Sequence, residues 1–282
     1  MWKKLIGYLR LDQGKGAQES KTAEESKTGA KPNTSRPEAE LLLDLAGTNK
    51  AKQAAAIEEL GLLRAEAAVP GLVQALASSD LAVVLASVEV LQKFPPELTL
   101  PLVLPTLDSP ESWPPARTRE VVVSYGVAAV QAIAARLPVA SSLAKPHLLE
   151  MLGELAEDPD LNLIQEALSG EHRLAAIKAV IKAVDRVPEA ARVFGEDLKV
   201  LLDDPEPLVR AQALEALYRL GPPEKLELVA QALLDEDKRV RCRAADLYNE
   251  EREVPQEIWQ VIGRKQLEEE DRLAIEKLAK GI

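Results

Sequence analysis

The chain contains few of the residues on which disulfide bonds, metal sites and aromatic cores depend. Its 282 residues include one cysteine, two histidines and only 3% aromatic residues. The single cysteine, Cys242, excludes an intrachain disulfide and is typical of a reducing compartment such as the cytoplasm. Because hydrophobic residues still make up 46% of the chain, the core must consist of Leu, Ala, Val and Ile. This composition favours interlocking helices over a β-sandwich or barrel.

Basic residues are fewer than acidic ones, and the formal net charge is -11 at pH 7. General nucleic-acid binding requires a basic surface that neutralises phosphates, so we do not expect it here. The two histidines, His147 and His172, have no second imidazole or thiol at metal-ligand spacing. The sequence also lacks a glycine-rich phosphate loop and a Gly-x-Ser-x-Gly elbow. We therefore predict no catalytic residue, no metal and no cofactor.

Residues 1–11, MWKKLIGYLRL, are predicted to form a short amphipathic basic helix. One face of this helix carries apolar residues at positions i, i+3, i+4 and i+7, namely Trp2, Leu5, Ile6 and Leu9. The segment is too short to span a membrane. It can dock in the groove of a partner, lie on an anionic membrane surface, or fray in solution. Residues 12–36 lack large apolar side chains and are predicted to be a disordered linker.

The remainder of the chain repeats itself. LLDDPEPLVR at residues 201–210 returns as LLDEDKRVR at 233–241, so that Val209-Arg210 and Val240-Arg241 lie 31 residues apart. A period of this size is typical of stacked supersecondary units, and the apolar residues between turns follow the helical period. We predict first helices that begin near 38, 67, 98, 127, 160, 189, 223 and 255, and second helices near 50, 80, 116, 143, 171, 206, 237 and 269. Pro70 and Pro101 are predicted to lie in first helical turns, where proline is tolerated.

An aspartate in the turn, followed by Val-Arg and then by alanines, makes this pattern resemble the HEAT-repeat family. More narrowly, it resembles the bacterial HEAT-like repeats of phycobilisome lyases. The residues that carry the resemblance are Asp204-Pro205, Val209-Arg210 and Ala213, and Asp235, Val240-Arg241 and Ala244. The resemblance covers about residues 38–280. It implies that residues 37–282 form an all-α fold, a right-handed α-solenoid of about eight stacked antiparallel helix pairs, that is, a HEAT-like or armadillo-type superhelix.

The repeated arginines have two interpretations. In HEAT arrays, such Asp and Arg residues tend to form a ladder of hydrogen bonds between adjacent repeats. Alternatively, arginines on the concave face bind an acidic partner, and the residues concerned are Arg173, Arg210, Arg241 and Arg272. Trp113, in the irregular turn SPESWPPA, is either an exposed binding residue or a plug that fills the longer turn. Cys242 is predicted to be a small interior or groove residue.

The resemblance implies a non-catalytic scaffold or adaptor that binds a protein partner on its concave face. Two alternatives remain open. The first is a bilin lyase-like subunit that acts on a tetrapyrrole-protein conjugate, and the second is a HEAT-like DNA-repair protein. We expect a cytoplasmic location, with residues 1–11 as a means of peripheral contact at the inner membrane face.

Overall fold

The computed structural model describes residues 36–157 and 161–250. Over these residues the chain forms fourteen α-helices and no strand. None of the described helices is both long enough and apolar enough to cross a bilayer. The helices are α1 (Glu38–Ala46), α2 (Lys50–Leu63), α3 (Val69–Ala75), α4 (Leu81–Leu91), α5 (Pro96–Val103), α6 (Pro115–Ser124), α7 (Ala128–Arg136), α8 (Lys145–Leu155), α9 (Leu161–Leu168), α10 (Arg173–Arg186), α11 (Gly195–Val200), α12 (Pro207–Leu220), α13 (Lys225–Ala232) and α14 (Lys238–Glu250).

The helices are arranged as seven pairs, in which odd-numbered helices come first and even-numbered helices second. Each second helix contacts the second helix of the next pair, from α2 through to α14. The predicted α-solenoid is therefore confirmed. The predicted starts of these seven pairs lie within about two residues of the observed ones, although the sixth pair begins with a 3₁₀ helix at Ala190–Phe194. The predicted eighth pair, near 255 and 269, lies outside the described residues.

Capping residues explain where several helices begin, and a proline marks where one ends. The side chain of Asn49 accepts a hydrogen bond from the Lys52 amide at the start of α2, and Asp80 caps α4 by accepting from the amide of Val83 at 3.1 Å. Such caps satisfy amides that have no partner within the helix. The prediction for Pro101 is wrong. It lies inside α5, five residues after the start, and the chain changes to a 3₁₀ helix at Leu104. Proline removes a backbone donor, so a short helix can accommodate it only near its end.

The core is aliphatic and continuous from pair to pair. One cluster of buried residues extends from Leu41 in α1 to Leu217 in α12, and a second surrounds Leu233 between α13 and α14. Leu202 and Leu228 pack against both clusters, so the two are in contact. A single helix pair cannot cover its own apolar side, and the neighbouring pair completes the burial.

The close approach of α8 and α10, which are both second helices, depends on a glycine. A Cβ atom added to Gly153 in α8 would lie 2.3 Å from the carbonyl oxygen of Ala179 and 2.6 Å from its Cα atom, both in α10. Backbone atoms cannot move aside as a flexible side chain can. Gly153 therefore allows α8 and α10 to pack backbone against backbone.

We expect Gly153→Ala to lower the free energy of unfolding by about 1–3 kcal/mol, because the added methyl group overpacks this contact. In an ordinary helix the same change is stabilising by up to about 1 kcal/mol. Gly170→Ala is the matched control, since its Cβ would lie 3.6 Å from the nearest atom, the carbonyl oxygen of Ala167. Urea denaturation of the full chain measures both. Equal stabilities of the two variants would contradict the close contact.

Candidate functional site

A ladder of charge-assisted hydrogen bonds joins the last three described pairs at their turns. Arg173 at the start of α10 donates to both carboxylate oxygens of Asp204, from Nε at 2.6 Å and from Nη2 at 3.0 Å. Arg210 in α12 binds Asp235 in the same bidentate way, at 2.9 and 2.8 Å. Two parallel bonds between a guanidinium and a carboxylate are stronger and more specific in geometry than a single ion pair. Each arginine thus binds the turn of the following pair.

The same aspartates organise their own turns. Asp204 accepts a hydrogen bond from the Glu206 amide, and Asp235 accepts one from the Asp237 amide, each at 2.8 Å. Arg210 and Arg241 also donate from Nη1 to the carbonyl oxygens of Asp204 and Asp235, at 2.8 and 2.9 Å. The ladder interpretation is therefore confirmed for Arg173 and Arg210, whereas the bonds of Arg241 given above join it to its own turn. Arg272 lies outside the described residues.

Burial and hydrogen bonding set the pKa values of the ladder carboxylates. Arg210 is only 7% exposed and Asp204 only 9%. The hydrogen bond from Arg173 is the main cause that lowers the pKa of Asp204 below its usual value. Burial raises the pKa of Asp235, but the hydrogen bonds from Arg210 and from the Asp237 amide outweigh that effect and lower it. Both aspartates are thus stabilised in the charged form that the arginines require.

In the N-terminal helix pairs, other polar side chains of the second helices bind the turns. Gln53 is buried and donates from Nε2 to the Leu45 carbonyl oxygen at 2.8 Å, which corresponds to the bond from Arg210 to its own turn. Arg117 reaches back from α6 to the turn before α4, where it binds the carbonyl oxygens of Leu76 and Ser78. Carbonyl oxygens replace carboxylates as the acceptors of Arg117, whereas Arg136 of α7 binds the carboxylate of Asp108 in the turn of the previous pair.

A second set of ion pairs lies on the face of the second helices and was not predicted. Glu154 of α8 accepts from Arg119 of α6 at 3.1 and 2.5 Å, and from Lys182 of α10 at 2.5 Å. Burial raises the pKa of Glu154, but these two cations outweigh it and lower the value. Arg186 also donates to the Glu154 carbonyl oxygen. No repeat spacing in the sequence indicated these contacts, because the partners occupy different positions in their helices.

Further contacts continue this face towards the C-terminal end of the described array. Arg219 of α12 lies 3.5 Å from Asp185 of α10 and 3.1 Å from Glu215 in its own helix. Arg243 of α14 lies 3.6 Å from the same Glu215. Charges of opposite sign thus link α6, α8, α10, α12 and α14. Exposed pairs of this kind contribute little to stability, and their effect is to fix side-chain positions on the surface.

The second helices at the other end expose both leucines and charged residues, among them Glu58 of α2 and Glu89 of α4. Leu62 of α2 is 61% exposed and Leu81 of α4 is 45% exposed, and Leu85, one turn after Leu81, is half-buried. The neighbouring surface positions of α2 are small, with Ala51 and Ala55 exposed. Exposed leucines therefore accompany charges at this end, whereas ion pairs between helices link α6 to α14.

Trp113 and Cys242 differ in their burial. Trp113 is half-buried and packs against the main core cluster, and its amide donates to the Ser109 carbonyl oxygen at 3.0 Å. This contact favours the plug interpretation. Cys242 is exposed, so the prediction of an interior residue is wrong, while a groove position stays a prediction. Ala244, two residues later in α14, takes the buried position. Among the described residues, no cluster of His, Cys, Asp or Glu could hold a metal ion.

Comparison with known proteins gives the following results. The family model described as HEAT repeats matches residues 39–121 and 195–248. No curated protein matches the sequence. Two crystal structures of engineered proteins are similar, each with 17% identity. One match covers 79% of this chain and 70% of the other, with a TM-score of 0.38. The second covers 80% and 96%, with a TM-score of 0.36. These comparisons do not confirm the phycobilisome-lyase subtype.

We expect Arg210→Ala to lower the free energy of unfolding by about 2–4 kcal/mol, because it leaves the carboxylate of Asp235 without its bidentate partner. Arg192→Ala is the control. That arginine pairs with Glu189 three residues earlier, and both side chains are exposed, so the cost should be below about 0.5 kcal/mol. Guanidinium denaturation followed by circular dichroism measures both variants. A cost for Arg210→Ala no larger than the control would contradict a stabilising ladder.

Acid should destabilise the array through the same carboxylates. The pKa values of Asp204, Asp235 and Glu154 are lowered in the folded protein. Their stabilising effect is therefore complete above the ordinary carboxyl pKa of about 4 and is lost as the pH falls through the lower folded values. Asp204→Asn lacks one of these groups, so its deficit in unfolding free energy relative to the wild type should shrink as the pH falls from about 7 to about 3. A constant deficit would contradict this linkage.

Proposed function

We propose that the chain is a non-catalytic scaffold for a protein partner, because the family model for HEAT repeats matches two segments of it, on either side of α7–α10. The partner binds on the face of the second helices, which is the concave face in the predicted superhelix. Stacked repeats offer an extended preformed surface, so that binding does not require the scaffold to become ordered.

The observation that supports this site is the exposure of leucines on the second helices α2 and α4. Leu62 and Leu81 expose apolar area at one end, where no described residue covers them. Protein interfaces are typically built from an apolar centre within a polar rim. The ion-paired side chains of Arg119, Glu154 and Lys182 are held in place before a partner arrives, which suits the rim. The proposal therefore puts the main contact on α2 and α4 and the specificity on α6 to α10.

The arginines and the tryptophan that the sequence predicted as partner-binding residues have a smaller role in this proposal. Arg173, Arg210 and Arg241 all make hydrogen bonds within the array. Contact between an acidic partner and these residues, or Arg272, stays a prediction. The same holds for Trp113, whose half-buried ring leaves part of its surface free.

The N-terminal segment forms the remaining part of the proposal. Trp2, Leu5, Ile6 and Leu9 would provide a second contact with the partner or a peripheral contact with the inner membrane face, in a cytoplasmic protein. These residues lie outside the described ones. A chain that begins at residue 37 separates their contribution from that of the solenoid.

We expect the double variant Leu62→Glu/Leu81→Glu to reduce recovery of a specific partner at least about tenfold, because each glutamate places a charge at the apolar centre of the interface. The control is Leu98→Glu/Leu102→Glu on the first-helix side, where both leucines are similarly exposed, at 37% and 41%. Affinity capture from the native cell lysate with the full chain as bait, followed by mass spectrometry, measures recovery. Thermal melting confirms that each variant is folded.

Either of two results would contradict the proposed site and function. If the control removes the partner and the test variant does not, the contact lies on the first-helix side. If no protein is specifically recovered by the wild-type chain, the scaffold function itself is contradicted.

A further inference from the structure

Two clefts open at equivalent positions in the array. One lies between the fourth and fifth helix pairs and has a volume of about 370 Å³. The other lies between the sixth and seventh pairs and has a volume of about 670 Å³. A shift of 65 residues relates their linings. The corresponding residues are Leu137 and Leu202, Lys145 and Arg210, Leu163 and Leu228, Ala167 and Ala232, Gly170 and Asp235, and Glu171 and Glu236.

The correspondence shows that one ladder bond is missing. In the second cleft, Arg210 and Asp235 form their bidentate pair across the junction. In the first cleft, Lys145 takes the place of the arginine and Gly170 takes the place of the aspartate. The side chain of Lys145 makes no hydrogen bond or ion pair with any described residue, although it is half-buried. A half-buried lysine therefore lines a cleft in which a glycine replaces the aspartate of the equivalent ladder bond.

Two further differences between the clefts also make the first cleft less negative than the second. Pro138 stands where the second cleft has Asp203, and His172 stands where its turn has Asp237. The walls between these positions are aliphatic, with Leu137, Leu149 and Leu163 among the lining residues. Such a cleft accepts an aliphatic group together with a single negative charge.

The carboxylates that remain limit what can enter. Glu166 and Glu171 line the cleft, and both are exposed. They would repel a segment with several negative charges, whereas one carboxylate close to Lys145 and His172 has a cation to pair with. The composition of the lining thus discriminates between an isolated acidic residue and an acidic run.

We infer that this cleft binds a segment of the protein partner in which one Asp or Glu is flanked by aliphatic residues. The carboxylate takes the position of the missing turn aspartate beside Lys145, and the aliphatic neighbours lie against the apolar wall. The segment thereby completes in trans the ladder bond that the chain makes in cis at the next two junctions. This inference rests on the proposed scaffold function and adds to it the chemistry of the segment that is recognised.

Restoring the missing bond within the chain should close the site. We expect Gly170→Asp to pair with Lys145, since a Cβ at this position meets nothing closer than 3.6 Å. Gly170→Asn has nearly the same shape without the charge and is the matched control. The probes are acetyl-Ala-Leu-Asp-Leu-Ala-amide and the same peptide with Asn in place of Asp, titrated into the full-length chain by calorimetry.

The wild-type chain should bind the Asp peptide at least about tenfold more tightly than the Asn peptide. Gly170→Asp should lose this preference and Gly170→Asn should keep it, and Lys145→Met should bind both peptides equally weakly. Equal binding of the two peptides to the wild type would overturn the inference, as would an unchanged preference in Gly170→Asp. Because the peptide titration does not depend on capture from a lysate, its failure would leave the proposed scaffold function intact.

Discussion

Close packing between successive second helices is the constraint on which the other features depend. The core has few aromatic side chains to span a gap, so helices filled with Leu, Ala and Val must approach closely to exclude water. Gly153 against Ala179 is the extreme case. At such distances the turn aspartate of one pair comes within reach of an arginine in the previous pair. Charges on neighbouring second helices also fall within ion-pair distance, as Glu154 shows with Arg119 and Lys182.

The polar contacts in turn explain which surfaces remain available for binding. Where a ladder bond is complete, its arginine and aspartate are largely buried and satisfied, as for Arg210 and Asp235. Where the bond is incomplete, as at Lys145 and Gly170, the lysine borders a cleft and has no ion pair with any of the residues that the structure describes. A departure from the repeat pattern can thus be more informative about function than the pattern itself. The departure falls in the segment between the two HEAT-repeat matches.

Several parts of the fold and of the candidate site were predictable from the sequence. The helix starts followed from apolar periodicity, because that signal is local. The Arg–Asp ladder was implied by the resemblance of the turn aspartates and the Val-Arg pairs to HEAT arrays. Pro101 was wrongly placed because α5 begins at Pro96, before the predicted start near 98. The exposure of Cys242 was wrongly predicted because it depends on which side of α14 the neighbouring helices cover. The contacts of Glu154 gave no signal, because its partners lie 35 and 28 residues away without a common register.

The sequence by itself determined the class of fold and the repeat unit, because a 31-residue recurrence and helical periodicity leave stacking as the way to bury each apolar side. Only the tertiary structure decided which charges pair, which leucines stay exposed and where a cleft opens. These properties depend on distances between residues that are far apart in the chain, and a shift of one helical turn would change them all. Lys145 illustrates the difference. The sequence shows that this residue is a lysine, but only a comparison of the two clefts shows that it corresponds to Arg210 and lacks the aspartate with which Arg210 pairs.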